Sequence, residues 1–271
     1  MLGPADREDV SRVIQRDPVT HVFVDHRIRV TKMEPRWLAG QIWGWDEDGR
    51  LDSICHVGAN FTPVQATAAA LEAFAAEALE QGRRCGSIMG LNDDVAALWR
   101  ALRESWGPAR SERPRQPFLT LTRAPLVEAS SAVRRVRPDE LDLLYPACVA
   151  MYTEELGVSP EAGGGASVYR ARVAQLIAKG HAFAHIEGGE VLFKAELGAL
   201  TPAACQVQSV WVDPRHRGLG LATGSVAAVC QAALAEAPCV TLYVNEHNDA
   251  AQRTYARVGF TERCRFATIL F

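Results

Sequence analysis

Val207-Gln208-Ser209-Val210-Trp211-Val212-Asp213-Pro214-Arg215-His216-Arg217-Gly218-Leu219-Gly220-Leu221-Ala222 is the stretch that decides how this chain reads. Its first part is rich in β-formers, and Asp213-Pro214 stops it, because proline has no amide for a continuing ladder. Two arginines around a histidine follow, then Gly-Leu-Gly, then the apolar-rich residues 223–237, which read as a helix. The order is strand, basic glycine turn, helix. Such a turn can bind an anion, since glycine lets the backbone approach a ligand and the first helical turn offers unpaired N–H groups with the positive dipole end. Taken alone, the stretch equally suits an ordinary turn with solvated arginines.

Working outward, 271 residues with 48% hydrophobic content are enough for one large domain or two ordinary ones. A net charge of −3 without a dense basic block argues against a nucleic-acid partner. The seven cysteines are odd in number, far apart and never spaced C-x-x-C, which points to buried thiols in a reducing cytoplasm and to no metal. The charged start lacks the apolar core of a signal peptide, and no apolar run is long enough for a bilayer, so no membrane partner is expected.

In the first half, residues 4–16 read as a short helix, followed by a mixed segment with the apolar run Val22-Phe23-Val24. Residues 38–45 and 51–57 read as strands joined by Asp46-Glu47-Asp48-Gly49, a hairpin signal. The alanine-rich residues 63–81 read as a helix with Thr62 as N-cap, Pro63 at the first position and Gly82 as its stop. A strand (85–91), a helix opened by Asn92-Asp93-Asp94, a polar loop (107–117) and a last strand (116–122) complete it.

Residues 123–131 make the best boundary, giving domains 1–124 and 132–271 with a 125–131 linker. The second half then reads strand (133–136), helix from Pro138 to about Glu155, glycine loop (157–167), helix (168–179) and a hairpin (181–186, 191–200) turning at Gly188-Gly189. The opening stretch comes next, then a buried strand (240–244), a turn, a helix (249–258) stopped by Gly259, and a last strand (264–271). The two halves repeat one order: hairpin, strand, helix, strand, helix, strand. Asn92 matches Asn248 and Trp99 matches Tyr255. Where the arginine-glycine turn should recur, the first half has only Gly58-Ala59-Asn60-Phe61-Thr62-Pro63.

Arg215-x-x-Gly218-x-Gly220, followed by Asn248-x-Ala250-x-x-x-x-Tyr255-x-x-x-Gly259-Phe260, resembles the GCN5-related N-acetyltransferase (GNAT) superfamily. The resemblance is clear over residues 133–271 and weak before them, and the whole chain looks like an actinobacterial tandem type with a first domain of unknown function. It implies an α/β (α+β) fold of two tandem acyl-CoA N-acyltransferase-like domains, each a mixed, mostly antiparallel sheet flanked by helices. It also implies an acyltransferase that moves an acetyl group from acetyl-CoA directly to an amine, on a small molecule or on a protein or peptide. No metal is involved, and a homodimer is compatible with the family.

The family roles carry over as follows. Main-chain N–H groups of Arg217, Gly218, Leu219, Gly220, Leu221 and Ala222 would hold the CoA pyrophosphate, with charge from Arg215 and Arg217. Main-chain groups of Val210, Trp211 and Val212 would pair with pantetheine and polarise the thioester carbonyl. Asn248 would face the pantetheine arm, and Asn245 is counted with the cofactor-binding residues. Tyr255 would protonate the departing thiolate; the bland alternative is a core tyrosine. The general base is open, because Gln206 stands where many relatives carry glutamate. Glu196, Glu155, Glu154, His185, His247 and an ordered water are all candidates. A different class, a non-catalytic acyl-CoA sensor, fits the same motifs.

Overall fold

Asp48 and Gly49 both adopt positive φ, +51° and +76°, the turn geometry that matches strand twist and locks β1 (Gln41–Glu47) antiparallel to β2 (Arg50–Val57). Gly188 and Gly189 do the same at +59° and +80° for β7 (Ala182–Glu187) and β8 (Glu190–Leu200). A computed structural model describes all 271 residues and resolves them into two units. Unit 1 holds Met1–Leu119, Tyr243–Asp249 and Glu262–Phe271; unit 2 holds Thr120–Leu242 and Ala250–Thr261.

In unit 1, α1 (Arg7–Ile14), α2 (Val22–Thr31) and α3 (Pro35–Leu38) precede the hairpin. After it come β3 (Asn60–Val64), α4 (Ala68–Gln81), β4 (Ser87–Leu91), α5 (Asn92–Trp106) and β5 (Ser111–Leu121). The strand order is β1-β2-β3-β4, then the chain's last strand β11 (Thr261–Leu270), then β5. Alternation sends Ile54 to one face, with Val10, Ile14 and Ile28 of the first helices, and Cys55 to the other, with Phe74, Leu98 and Trp106 of α4 and α5. Val22-Phe23-Val24 opens α2, because Val24 and Ile28 at helical spacing supply a buried stripe.

Three expectations are corrected here. Thr62 does not cap a helix: it lies buried in β3 opposite His56, and Thr67 caps α4 instead, accepting from the Ala70 N–H at 3.2 Å. Pro63 is tolerated in this strand opposite Cys55, so Gly58 to Pro63 is not the counterpart of the glycine turn; Gln65-Ala66-Thr67 holds that place. The polar loop expected over 107–117 is strand from Ser111 onward, anchored by the Arg110 N–H on the Leu270 carbonyl at 2.8 Å.

In unit 2, β6 (Val133–Arg135), α6 (Leu141–Leu156), α7 (Ala166–Ala178), β9 (Cys205–Val212), α8 (Leu221–Leu234), β10 (Val240–Tyr243) and α9 (Asp249–Val258) join β7 and β8. The strand order is β10-β9-β8-β7-β6, antiparallel except for β10 with β9. Leu144, Cys148, Val173 and Ile177 pack α6 and α7 on one face, together with Ala182, Ala184 and Val191. No helix is long and apolar enough to cross a membrane.

The compact units do not follow the expected 1–124 and 132–271 cut. Unit 2 starts before the 125–131 linker, whose Leu126 and Ser130 amides bond the Val258 and Gly224 carbonyls at 2.9 Å each. β11 belongs to unit 1 because it pairs with β4 from Phe266↔Leu91 to Leu270↔Ser87. Ladder hydrogen bonds, not chain continuity, decide membership.

Buried Glu140 starts α6. It accepts the Arg137 N–H at 2.8 Å and both arms of Arg134 at 2.8 and 2.6 Å. The Arg134 bonds foremost, against burial, hold its carboxyl down at about 2. A folded-state value below the ordinary 4.5 means the stabilisation is complete above that pH and is lost as pH falls through about 2. Glu140→Gln should lower unfolding free energy near neutral pH by about 1–2 kcal/mol, after discounting the half-exposed Arg134 for screening, with the gap closing in denaturant melts taken down to pH ~2.

Candidate functional site

β9 is held on one side by β8 along its length, but on the other it runs parallel to β10 for only two pairs, Val240↔Cys205 and Thr241↔Gln206. Past Gln206 that ladder ends. Ser209 has φ +54°, and the register jumps from Glu196↔Gln208 to Lys194↔Trp211, so Ser209 and Val210 together oppose Ala195. This is a β-bulge, which re-aims the main chain of the residues that follow it. Val210, Trp211 and Val212 therefore lie on the stretch of β9 beyond the last β10 pair.

The glycine turn follows directly. The Asp213 carboxylate accepts the Arg215 N–H at 2.8 Å and pairs with the Arg215 guanidinium, which also reaches Glu190 at 3.0 Å. The Arg215 hydrogen bonds hold Asp213 down at about 2. Gly218 and Gly220 have φ +77° and +82°, a region that side chains with a Cβ rarely adopt, and nothing lies within 4 Å of where either Cβ would stand. Leu219 between them is exposed. Gly220 is the N-cap of α8 and no side chain caps it, so Leu221 and Ala222 begin the helix with amides left to an incoming group. This open, glycine-lined, uncapped helix start fits a pyrophosphate by shape and by dipole.

Tyr255 lies on α9, buried, its ring edge-on to Phe260 at 5.8 Å. Gly259 at φ +109° stops the helix, and the Phe260 N–H bonds the Tyr255 carbonyl at 3.0 Å, which seats that aromatic pair. Burial raises the phenol well above its usual range, with Cys230 and Glu155 adding in the same direction. The hydroxyl thus stays protonated across neutral pH. Asn245 and Asn248 belong to unit 1, where Asn245 accepts from Gln116 at 2.8 Å and Gln116 accepts from Thr268 at 2.7 Å.

The candidate bases separate by environment. Glu155 is exposed at the end of α6. Glu154 is engaged by Arg217 at 2.8 and 2.7 Å, which holds its carboxyl below the usual range. Gln206 is buried in the ladder. His185 faces Glu187 at 3.6 Å and His247 is exposed. Glu196 is buried and bonded by Lys194 at 2.6 Å. Burial pushes Glu196 up, but Lys194 outweighs it and leaves the carboxyl below its usual range. Sequence reasoning missed Lys194, although a lysine within the apolar run Val191-Leu192-Phe193 and two residues from Glu196 was the available signal. It missed the Glu154–Arg217 pair as well, which joins residues too far apart for any local pattern. No group of three or more His, Cys, Asp or Glu side chains is placed to hold a metal ion.

Known proteins share this mixed, mostly antiparallel α/β fold. Residues 152–260 match the acetyltransferase (GNAT) family, and residues 40–144 match DUF4081, a domain of unknown function. The chain thus carries a GNAT domain preceded by a DUF4081 domain. It is similar to a tandem GNAT protein from the clavulanic acid biosynthesis pathway (18% identity, 99% of this chain and 97% of that one, TM-score 0.54). A GCN5-related N-acetyltransferase from Kribbella flavida (15%, 93% and 93%, 0.57) and a GNAT-family acetyltransferase from Colwellia psychrerythraea (15%, 86% and 85%, 0.55) share the fold too. No curated protein matches the sequence.

The Lys194–Glu196 pair yields a stability test. Removing one member of a fully buried pair strands a charge, so Lys194→Met should cost about 3–5 kcal/mol, while Lys194→Met with Glu196→Leu should recover most of it. Urea melts of both variants decide; a double variant as unstable as the single one refutes the pairing.

Proposed function

We propose that this protein is an acetyl-CoA-dependent N-acetyltransferase that transfers the acetyl group directly to an amine. The observation that carries the reading is β9, bulged at Ser209 and parted from β10, running past its last β10 pair to an uncapped helix start through Gly218 and Gly220. In this reading the N–H groups from Arg217 to Ala222 bind the pyrophosphate, with charge from Arg215 and Arg217, and the main chain of Val210 to Val212 binds pantetheine and polarises the thioester carbonyl.

The chemistry needs a proton removed from the acceptor ammonium and one delivered to the thiolate. Tyr255, protonated and buried, supplies the second. For the acceptor we propose a carboxylate base, Glu155 at the end of α6 or buried Glu196, which Lys194 engages. The acceptor is a small-molecule or peptide amine, and the first domain is a pseudo-acetyltransferase module. Seven cysteines, odd in number and scattered along the chain, support a reducing, cytoplasmic setting.

Calorimetry with acetyl-CoA, followed by a CoA-release screen over small amines, amino acids and peptide N-termini, tests the proposal. Binding with release supports transfer; binding without release from any amine makes the protein an acyl-CoA sensor. Gly218→Val should weaken acetyl-CoA binding at least about tenfold, since it forces a β-branched residue to positive φ. Tyr255→Phe should lower kcat about 100-fold with acetyl-CoA affinity nearly unchanged, and intact turnover would remove Tyr255 from the proton-donor role.

A further inference from the structure

Glu154 is more than a salt-bridge partner. It sits in the last turn of α6, three residues before Gly157, whose left-handed φ of +70° ends the helix and starts the segment leading through Gly165 to α7. Its carboxylate receives three donors: Nη1 and Nη2 of Arg217 at 2.8 and 2.7 Å, and the Trp211 indole N–H at 3.2 Å. Arg217 directly precedes Gly218 and also donates its Nε to the Val212 carbonyl at 3.0 Å. One side chain thus ties the end of α6 to both parts of the candidate cofactor site, the bulged strand and the glycine turn.

The geometry is that of a clamp. A two-armed arginine–carboxylate bond fixes orientation as well as distance, and the indole bond supplies a second, independent anchor. In the connected segments Gly157, Gly163, Gly164, Gly218 and Gly220 all take positive φ with nothing within 4 Å of their Cβ positions.

We propose that Glu154 is a positioning residue that couples the cofactor turn to the 157–165 segment, so that ordering the turn also orders the stretch between α6 and α7. The proposal rests on the cofactor reading above. A group binding on the Arg217 to Ala222 amides restrains Arg217, Arg217 restrains Glu154, and Glu154 restrains the helix end from which the 157–165 segment departs.

Hydrogen exchange on the full chain, with and without saturating CoA, tests this without knowledge of the acceptor. In the unaltered protein CoA should slow exchange at residues 218–222 and, about threefold or more, at residues 157–165. In Glu154→Gln, which keeps the side chain's length and hydrogen-bonding reach but not its charge, CoA should still slow exchange at 218–222 while the effect at 157–165 disappears. Glu154→Asp, which restores the charge, should return part of it. Equal protection of 157–165 in Glu154→Gln, or protection confined to 218–222 in the unaltered protein, overturns the coupling while leaving the cofactor reading intact. A chain that shows no CoA effect at 218–222 overturns both.

Discussion

Two hydrogen-bonded pairs are all that hold β9 to β10, and the site depends on that brevity. A longer parallel ladder would pair the main chain of Val210 to Val212 within the sheet, leaving nothing for a ligand to bond. Three residues past the last pair, with β8 fixed on the other side through Lys194↔Trp211 and Glu196↔Gln208, β9 carries the extra residue of the Ser209 bulge. The buried Lys194–Glu196 pair stands at that register step, so an expensive polar contact lies where strand alignment is most easily lost.

Unit 1 shows what the same geometry becomes without the glycine turn. Its β3 and β4 also run parallel for two pairs, Asn60↔Ser87 and Phe61↔Ile88. The helix that follows is closed, however. Thr67 caps α4 with its own hydroxyl, and the Gln65 carbonyl just before it accepts from Ser53 at 2.8 Å. The amides that would meet a phosphate in unit 2 are partly satisfied internally here, so repetition of the fold does not imply repetition of an anion site.

How much of this was legible in the sequence depends on how local its cause is. The two hairpin turns, the glycine turn and the Gly259-Phe260 stop were readable because each is set by the backbone freedom of one or two residues. The cap of α4 was misplaced by five residues because Thr62-Pro63 and Thr67 offer similar local signals, and only pairing of Thr62 with His56 decides between them. Membership of β11 in unit 1 had no local signature at all, since a strand's sequence records that it is half-buried, not which edge it joins. The same holds for the site: Tyr255 and the glycine turn were visible, whereas Lys194–Glu196 and Glu154–Arg217 are contacts whose partners only the fold brings together.

These contacts change how acid–base chemistry is apportioned. A carboxylate serves as a base in proportion to its proton affinity, and a cation at hydrogen-bond distance lowers that affinity. Glu196 and Glu154 are each held by such a cation, which leaves both carboxyls below their usual range. Tyr255 lies at the opposite extreme, its proton retained by burial and by the fields of Cys230 and Glu155. Burial raises the phenol of Tyr255, whereas at Glu196 the neighbouring cation outweighs the same burial, so the partner and not the depth separates the two groups.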